Sequence, residues 1–290
     1  MTVLVFSYNQ KDYIRQTLDG ILMQECDFDF KVVVNDDAST DGTADIINEY
    51  AKSDSPIIAN LRLVNLGGMM NAYLAVQEVD TEFVAICDGD DYWIDPRKLS
   101  KQMAVLSSQE NIFAVGSTVK VQKASGKLIE PGASAVRTYS FKDLLKKNRL
   151  STCTVMLRNR NVRLEKWFTE MVYGDWIYWL LSMKPSEQII VFPEPVAVYR
   201  DFSGMTSQRS KERLRYLNGE ISIYRNLLKL AKFRPFQKEI NHEIGYREFL
   251  KIKHLRKAGN NSMALSSAYK SLRILGLKWT FKTIKRFLQR

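Results

Sequence analysis

Phe83-Val84-Ala85-Ile86-Cys87 runs directly into Asp88-Gly89-Asp90-Asp91-Tyr92-Trp93, so a short apolar strand ends on three carboxylates within four residues. Crowded carboxylates repel one another unless donors or a cation offset them, and a divalent ion that prefers oxygen ligands does this well. An ion held there can bridge to a diphosphate. The plainer reading is a polar turn in which Asp90 or Asp91 caps a helix starting near Pro96. A calcium loop of the helix-loop-helix type fits poorly, because glycine is absent from its required place.

Upstream the same alternation repeats. Val3 to Phe6 precedes a helical pattern over Asp12 to Met23, Lys31 to Val34 precedes one over Thr43 to Ala51, and Leu61 to Val64 precedes one over Met69 to Val79. Such alternation predicts an α/β fold with a mostly parallel sheet covered by helices on both faces. Ligands of open parallel sheets bind at the carboxyl ends of the strands. The loops Ser7-Tyr8-Asn9, Asn35 to Gly42 and Asp88 to Asp91 should therefore converge on one crevice. In the second of these, Asp41 or Thr43 suits a helix start, whereas the Asp36-Asp37 pair exceeds what capping requires and offers a carboxylate to a base N–H.

Downstream, residues 97 to 109 read as a helix and 112 to 121 as a strand. Ser125 to Arg137, with Gly126, Pro131 and Gly132, reads as a mobile or acceptor-facing loop. Thr152 to Leu157 reads as a strand, Asp175 to Met183 as a helix, and Ile189 to Val198, with two prolines, as a final edge strand. From Lys211 onward the pattern is helical. Tyr173-Gly174-Asp175-Trp176 places a carboxylate among aromatic rings, where reduced solvation favours a general base's working range, and Trp176 and Trp179 offer faces for stacking on a sugar. The competing reading is an N-cap Asp before an amphipathic helix with a core Trp.

Composition excludes several chemistries. At 290 residues with 45% apolar content, the chain can bury one large core with a helical appendage. Cys26, Cys87 and Cys153 are odd in number and far apart, which suggests neither a disulfide framework nor a zinc site. His242 and His254 both lie far from the acidic clusters, so carboxylates must carry any acid-base work. The apolar run at Val3 to Phe6 leaves no room for a secretory peptide, and no window approaches eighteen apolar residues. The expected location is cytoplasmic, or peripheral on the inner face of the membrane.

The net charge of +11 is localised: residues 251 to 290 hold eleven Lys or Arg and no Asp or Glu, while residues 1 to 250 balance at 32 of each sign. In helical projection, Leu277, Phe281, Ile284 and Leu288 share one face of residues 277 to 290, and Lys278, Lys282, Lys285, Arg286 and Arg290 the other. That suits an anionic membrane surface, or equally a helix packed on the domain with a solvated basic face.

Taken together, these residues resemble glycosyltransferase family 2, inverting enzymes with a GT-A fold, of the kind that assembles bacterial surface polysaccharides. The elements carrying the resemblance are Ser7-Tyr8-Asn9, Gln16-Thr17-Leu18-Asp19 with Gln24, NDDASTDGT from Asn35, Asn65-Leu66-Gly67, DGDDYW from Asp88 with Asp95 to Leu99 and Gln102, Gly174-Asp175, and Tyr199-Arg200 with Gly204. They imply a catalytic domain over 1–207 and a helical region with a basic tail over 208–290. The resemblance implies that Asp37 binds the base, usually uracil, with Ser7, Tyr8, Asn9 and Gly89 beside the nucleotide. Asp88 would touch ribose or metal, and Asp90 would ligate Mg2+ or Mn2+ across the diphosphate. Asp175 would deprotonate the acceptor hydroxyl for in-line attack with inversion, while Trp93, Trp176 and Arg200 would line the sugar or phosphate pocket. The donor would be a UDP-sugar and the acceptor a glycan or lipid-linked glycan. Phe202 stands where relatives often carry a His that helps hold the metal or diphosphate, so that either the metal is held more weakly or Arg200, Ser203 or Thr206 contacts the phosphates instead. A nucleotidyltransferase would want a Gly-rich basic loop after the first strand, which Ser7-Tyr8-Asn9-Gln10 lacks. A nucleic-acid-binding protein using the basic tail shows no recognised motif, so no nucleic acid is expected.

Overall fold

The computed structural model describes residues 1–52, 55–160, 162–203 and 212–276. The chain divides into two compact units, Met1–Thr169 with Gly174–Ser207, and Glu170–Tyr173 with Gln208–Arg290. The basic pattern over 277–290, and also Gly204, Thr206 and Lys211, lie outside the described residues.

The first unit begins β1 (Thr2–Ser7), α1 (Ile14–Leu22), β2 (Lys31–Asp36), α2 (Thr43–Tyr50), β3 (Ile57–Leu61), α3 (Gly68–Gln77) and β4 (Phe83–Asp88). The four strands are parallel in the spatial order β3-β2-β1-β4. Val3, Leu4 and Val5 are all essentially unexposed, as expected of a central strand covered on both faces. Each such side chain contributes about 1.5–3 kcal/mol by leaving water. Ile14, Leu18, Ile21, Ile46 and Ile47 from the first two helices join Val3, Val5, Val32 and Val34 in one core.

Next come β5 (Tyr92–Trp93), α4 (Lys98–Ser108), β6 (Ile112–Gln122), β7 (Leu128–Ile129), β8 (Arg137–Ser140), α5 (Phe141–Lys146), β9 (Met156–Arg158), α6 (Gly174–Ser182) and β10 (Gln188–Arg200). β9 lies antiparallel between β4 and β6, and β10 runs parallel to β6, giving a mixed α/β sheet of the GT-A kind.

Four sequence expectations shift. The third strand is Ile57–Leu61 rather than Leu61 to Val64, because β2 takes Ile57 to Leu61 as its partners; Leu63 and Val64 are left 98% and 63% exposed in a loop. Thr152 to Leu157 is a short 3-10 turn, Thr152–Thr154, followed by β9. Finally, β10 is an interior strand, bonded to β6 on one side and to β8 and β5 on the other. Its prolines, Pro193 and Pro195, are tolerated because the register slips between Phe192 and Pro195 and again before Ala197, so the missing N–H groups fall in an irregularity. The stretch read as a loop, Ser125 to Arg137, contains β7, which pairs with the end of β6.

In the second unit, α7 (Arg213–Leu227), α8 (Gln237–Lys257) and α9 (Asn261–Leu275) form a helical layer in which α8 packs on both others. Arg247 bonds Glu220 at 2.9 Å and also Glu243, all three being buried. No helix among the described residues is long and apolar enough to cross a membrane.

Candidate active site

The site lies at the carboxyl ends of β1, β2 and β4. Ser7 ends β1, and its hydroxyl donates to Asp36 Oδ1 at 2.6 Å. Asp36 also accepts from the Ser39 N–H at 2.8 Å and from the Ser39 hydroxyl at 2.5 Å. One carboxylate thus pins the NDDASTDGT loop, where Ala38 is held at φ 59°, a left-handed conformation costing an alanine about 1–2 kcal/mol. Asn9, also at positive φ, accepts from the Thr40 N–H at 2.9 Å and donates its own N–H to Ser39 Oγ at 2.8 Å. Tyr8 stands about half exposed between them.

Asp37 is 1% exposed, and its two oxygens each accept a backbone N–H at 2.8 Å, from Leu66 and from Gly67. It therefore anchors the Asn65-Leu66-Gly67 turn at the start of α3, using one lone pair on each oxygen. A base N–H would have to share what remains. Asp41 accepts from both the N–H and the hydroxyl of Thr43 at the start of α2, with Gly42 at φ 98° as the capping residue.

The acidic loop is fixed from several directions. The Gly89 N–H donates to the Phe6 carbonyl at 2.8 Å, and the Thr17 hydroxyl lies 2.9 Å and 2.6 Å from the carbonyl oxygens of Gly89 and Asp91. A Cβ on Gly89 would fall 3.0 Å from the Phe6 carbonyl oxygen and 3.1 Å from Ser7 Cβ, so only glycine fits there without displacement. Gln10 Oε1, which a Gly89 Cβ would also meet, is buried with no hydrogen-bond partner among the described residues.

Neither Asp90 nor Asp91 caps the following helix. That helix starts at Lys98, and Asp95 supplies the carboxylate that accepts from the Arg97 N–H at 3.0 Å. Asp91, 1% exposed, instead accepts the Arg200 N–H at 2.9 Å. Burial, and secondly the charge of Asp90, push its carboxyl up to about 7. Asp88 is raised well above the usual carboxylate range by burial and by the charges of Asp90, Asp91 and Asp175. Asp90 is raised by burial, against the opposing effects of the Ser203 hydroxyl and the Arg200 charge. The Arg200 charge acts on Asp90 and Asp91, whereas every influence on Asp88 raises it.

Asp175 lies in the first turn of α6. Its Oδ2 accepts from Asn148 Nδ2 at 2.6 Å and from the Thr152 hydroxyl at 3.0 Å, and its charge is felt at Asp88. The two polar partners come from the segment before β9. Their only signal was a polar run ahead of a buried strand.

The aromatic and arginine readings need correction. Trp93 is 2% exposed; its indole N–H donates to the Cys153 carbonyl at 2.7 Å and its ring lies 3.9 Å beneath the Lys98 ammonium, which burial pushes down to about 7. Trp176 is 3% exposed with its N–H on the Leu144 carbonyl at 2.8 Å, and Trp179 is wholly buried. These indoles fill the core, and their faces are not open to a sugar. Arg200, equally buried, donates to the Asp90 carbonyl and to Gln16, with its guanidinium between the rings of Tyr13 and Tyr92 at 4.8 and 4.7 Å. It latches the acidic loop to β10 and α1. Phe202 packs edge-on against Tyr13, ring centres 6.4 Å apart.

Among the described residues no three His, Cys, Asp or Glu side chains form a complete cage for a metal.

The structure resembles that of Staphylococcus aureus TarS residues 1–349 in complex with UDP-GlcNAc, with a TM-score of 0.65 and 20% identity over 86% of this chain and 72% of that one. In sequence, an uncharacterised protein of Mycobacterium tuberculosis is 35% identical over 203 residues, 69% of this chain and 58% of its own length. The putative teichuronic acid biosynthesis glycosyltransferase TuaG of Bacillus subtilis is 27% identical over 201 residues, 69% of this chain and 78% of that protein. This chain therefore spans little more than half the length of the mycobacterial relative. The model of the family described as Glycosyl transferase family 2 matches residues 2–165, which carry the parallel strands, the Asp36-Asp37 loop and the acidic cluster, so the chain belongs to glycosyl transferase family 2.

Proposed function

We propose that the protein transfers a sugar from a nucleoside diphosphate, a UDP-sugar, to an acceptor hydroxyl on a glycan or lipid-linked glycan during assembly of a cell-surface polysaccharide. The observation that carries this reading is the convergence of Asp88 and Asp90, at the carboxyl end of β4, with Asp175, in the first turn of α6, close enough for Asp90 and Asp175 to raise the proton affinity of Asp88. A cluster of carboxylates crowded enough to raise one another's proton affinity suits a divalent cation and a diphosphate together. The UDP-GlcNAc complex of the similar TarS structure and the teichuronic acid pathway named for TuaG support the donor and the product class.

Asp88 and Asp90 would hold Mg2+ or Mn2+, which when bound neutralises charge developing on the departing diphosphate. Gly89 and the Ser7-Tyr8-Asn9 backbone let the nucleotide approach closely, and Asp37 faces the base. Asp175, oriented by Asn148 and Thr152, takes the proton of the acceptor hydroxyl as that oxygen attacks the anomeric carbon from the face opposite the diphosphate, inverting the centre. Neither Trp93 nor Trp176 takes part, and Arg200 acts by holding the Asp90 backbone. The basic segment 277–290 would bring the enzyme to the inner face of an anionic membrane, where a lipid-linked acceptor resides.

The test is hydrolysis of UDP-sugars with and without Mn2+, together with the shift of melting temperature caused by UDP and metal. Absence of any shift with any uridine nucleotide would remove the donor assignment. A nucleotidyltransferase would instead consume a nucleoside triphosphate and release pyrophosphate.

A further inference from the structure

α9 buries the wrong residues for an ordinary surface helix. Its fully buried positions are Ala264, Ser267 and Ser271, small side chains that let it lie close against α8; a Cβ on Gly245 of α8 would fall 2.7 Å from Leu275 Cγ. Its large apolar residues point out. Leu265 is 73% exposed, Tyr269 64%, Met263 50% and Ile274 40%. Leu265 and Tyr269, four residues apart, form one stripe, with half-buried Leu272 continuing it and Lys270 and Arg273 beside it. A surface helix normally does the reverse, turning its apolar stripe inward.

We propose that this outward face of α9 is a docking surface for an anionic lipid bilayer. Charge decides the occupant. From Phe249 to the end of the chain there is no Asp or Glu, and the exposed charges of α9 and of the last turns of α8, Lys270, Arg273, Lys253, Arg256 and Lys257, are all positive. A second copy of α9 would bring like charges together around the stripe, whereas a surface of anionic headgroups over acyl chains complements both features at once. Tyr269 suits the headgroup level, with its ring in the apolar zone and its hydroxyl toward water. The helix would lie in the plane of the membrane and bury one side. This surface extends the reading that the acceptor is lipid-linked, but it does not depend on the sugar chemistry.

Co-sedimentation of the full chain with phosphatidylcholine vesicles, with and without phosphatidylglycerol, tests it. Binding should require phosphatidylglycerol and weaken at least about tenfold in the double variant Leu265→Ser, Tyr269→Ser. Because both side chains are exposed, that variant should keep its circular dichroism and melting temperature. The Lys270→Gln, Arg273→Gln variant should bind less and show a weaker salt dependence. Equal binding to neutral vesicles, or full binding by the Leu265, Tyr269 variant, would overturn the proposal. So would a wild-type dimer that the same variant dissociates while vesicle binding stays unchanged, since the face would then belong to a second copy. Hydrolysis of a UDP-sugar in lipid-free solution should be equal in wild type and variants; its absence from all of them would count against the transferase reading and leave the vesicle result standing.

Discussion

Asn148 Nδ2 donates to Asp175 Oδ2 at 2.6 Å, across 27 positions of sequence, and the Thr152 hydroxyl reaches the same oxygen at 3.0 Å. Two donors on one oxygen fix the rotation of the carboxylate. Under the proposed mechanism Asp175 takes a proton in a defined direction, and that orientation would then serve catalysis.

We expect Asp175→Asn to lower transfer by roughly 10²–10⁴-fold while leaving the UDP-induced melting shift intact. Asn148→Ala should lower kcat by about tenfold with little change in the donor KM. Unchanged turnover in Asp175→Asn would take that residue out of the reaction.

The acidic loop should make stability depend on pH in an unusual direction. Asp91 titrates near 7 in the fold and near 4 when unfolded, so between those values the folded protein holds the extra proton. Stability contributed by this group is present below about pH 4 and lost as pH rises through about 7. In metal-free buffer the melting temperature should therefore decline across that window more steeply in wild type than in Asp91→Asn, whose remaining side-chain oxygen can still accept the Arg200 N–H. Added Mn2+ should restore the loss above pH 7. Parallel profiles for the two proteins would contradict the assignment.

Gly89→Ala places a methyl group against the Phe6 carbonyl and Ser7 Cβ, backbone-anchored atoms that move only with β1. The donor KM should rise by an order of magnitude or more, with a modest fall in melting temperature, both readable from initial rates and thermal unfolding. A wild-type KM would mean the loop stands clear of the nucleotide.

Trp93→Phe separates a core role from a sugar-binding one. It removes the N–H bonded to Cys153 and part of the ring under Lys98, so stability should drop by about 1–3 kcal/mol in urea unfolding. KM for donor and acceptor, measured well below the unfolding range, should be unchanged. A selective rise in acceptor KM would return Trp93 to the pocket.

Arg200→Met leaves the Asp90 carbonyl and Gln16 without their buried donor, and about 2–4 kcal/mol of stability should be lost. The UDP-sugar KM should rise with it, because the same backbone carries Asp90. A change confined to stability would limit Arg200 to the fold.

Much of this was legible in the residues themselves. The strands before Ser7, Asn35 and Asp88 show as unbroken apolar runs because they are covered on both faces, and their terminal loops share an edge of the sheet by topology alone. What failed was whatever depends on distant partners. Leu63 and Val64 look like strand residues, yet β2 pairs with Ile57 to Leu61 and leaves them in water. Pro193 and Pro195 signal an edge, yet a register slip lets them sit inside the sheet. Trp93 and Trp176 beside acidic residues look like sugar platforms, but the Cys153 and Leu144 carbonyls claim their N–H groups from remote segments. Asn148 and Thr152 were invisible for the same reason, since nothing local marks a loop that orients a carboxylate on another element.

The latch between Arg200 and the Asp90 carbonyl spans 110 positions. On the ribosome, β1 to β4 emerge and can pair long before Arg200 is made, so the nascent sheet exists for several seconds with its acidic loop unsecured. The order of synthesis thus keeps the donor cleft from maturing until the catalytic unit is nearly complete. A fragment ending before β10 would hold the family's sequence signature without the Arg200 latch on its acidic loop.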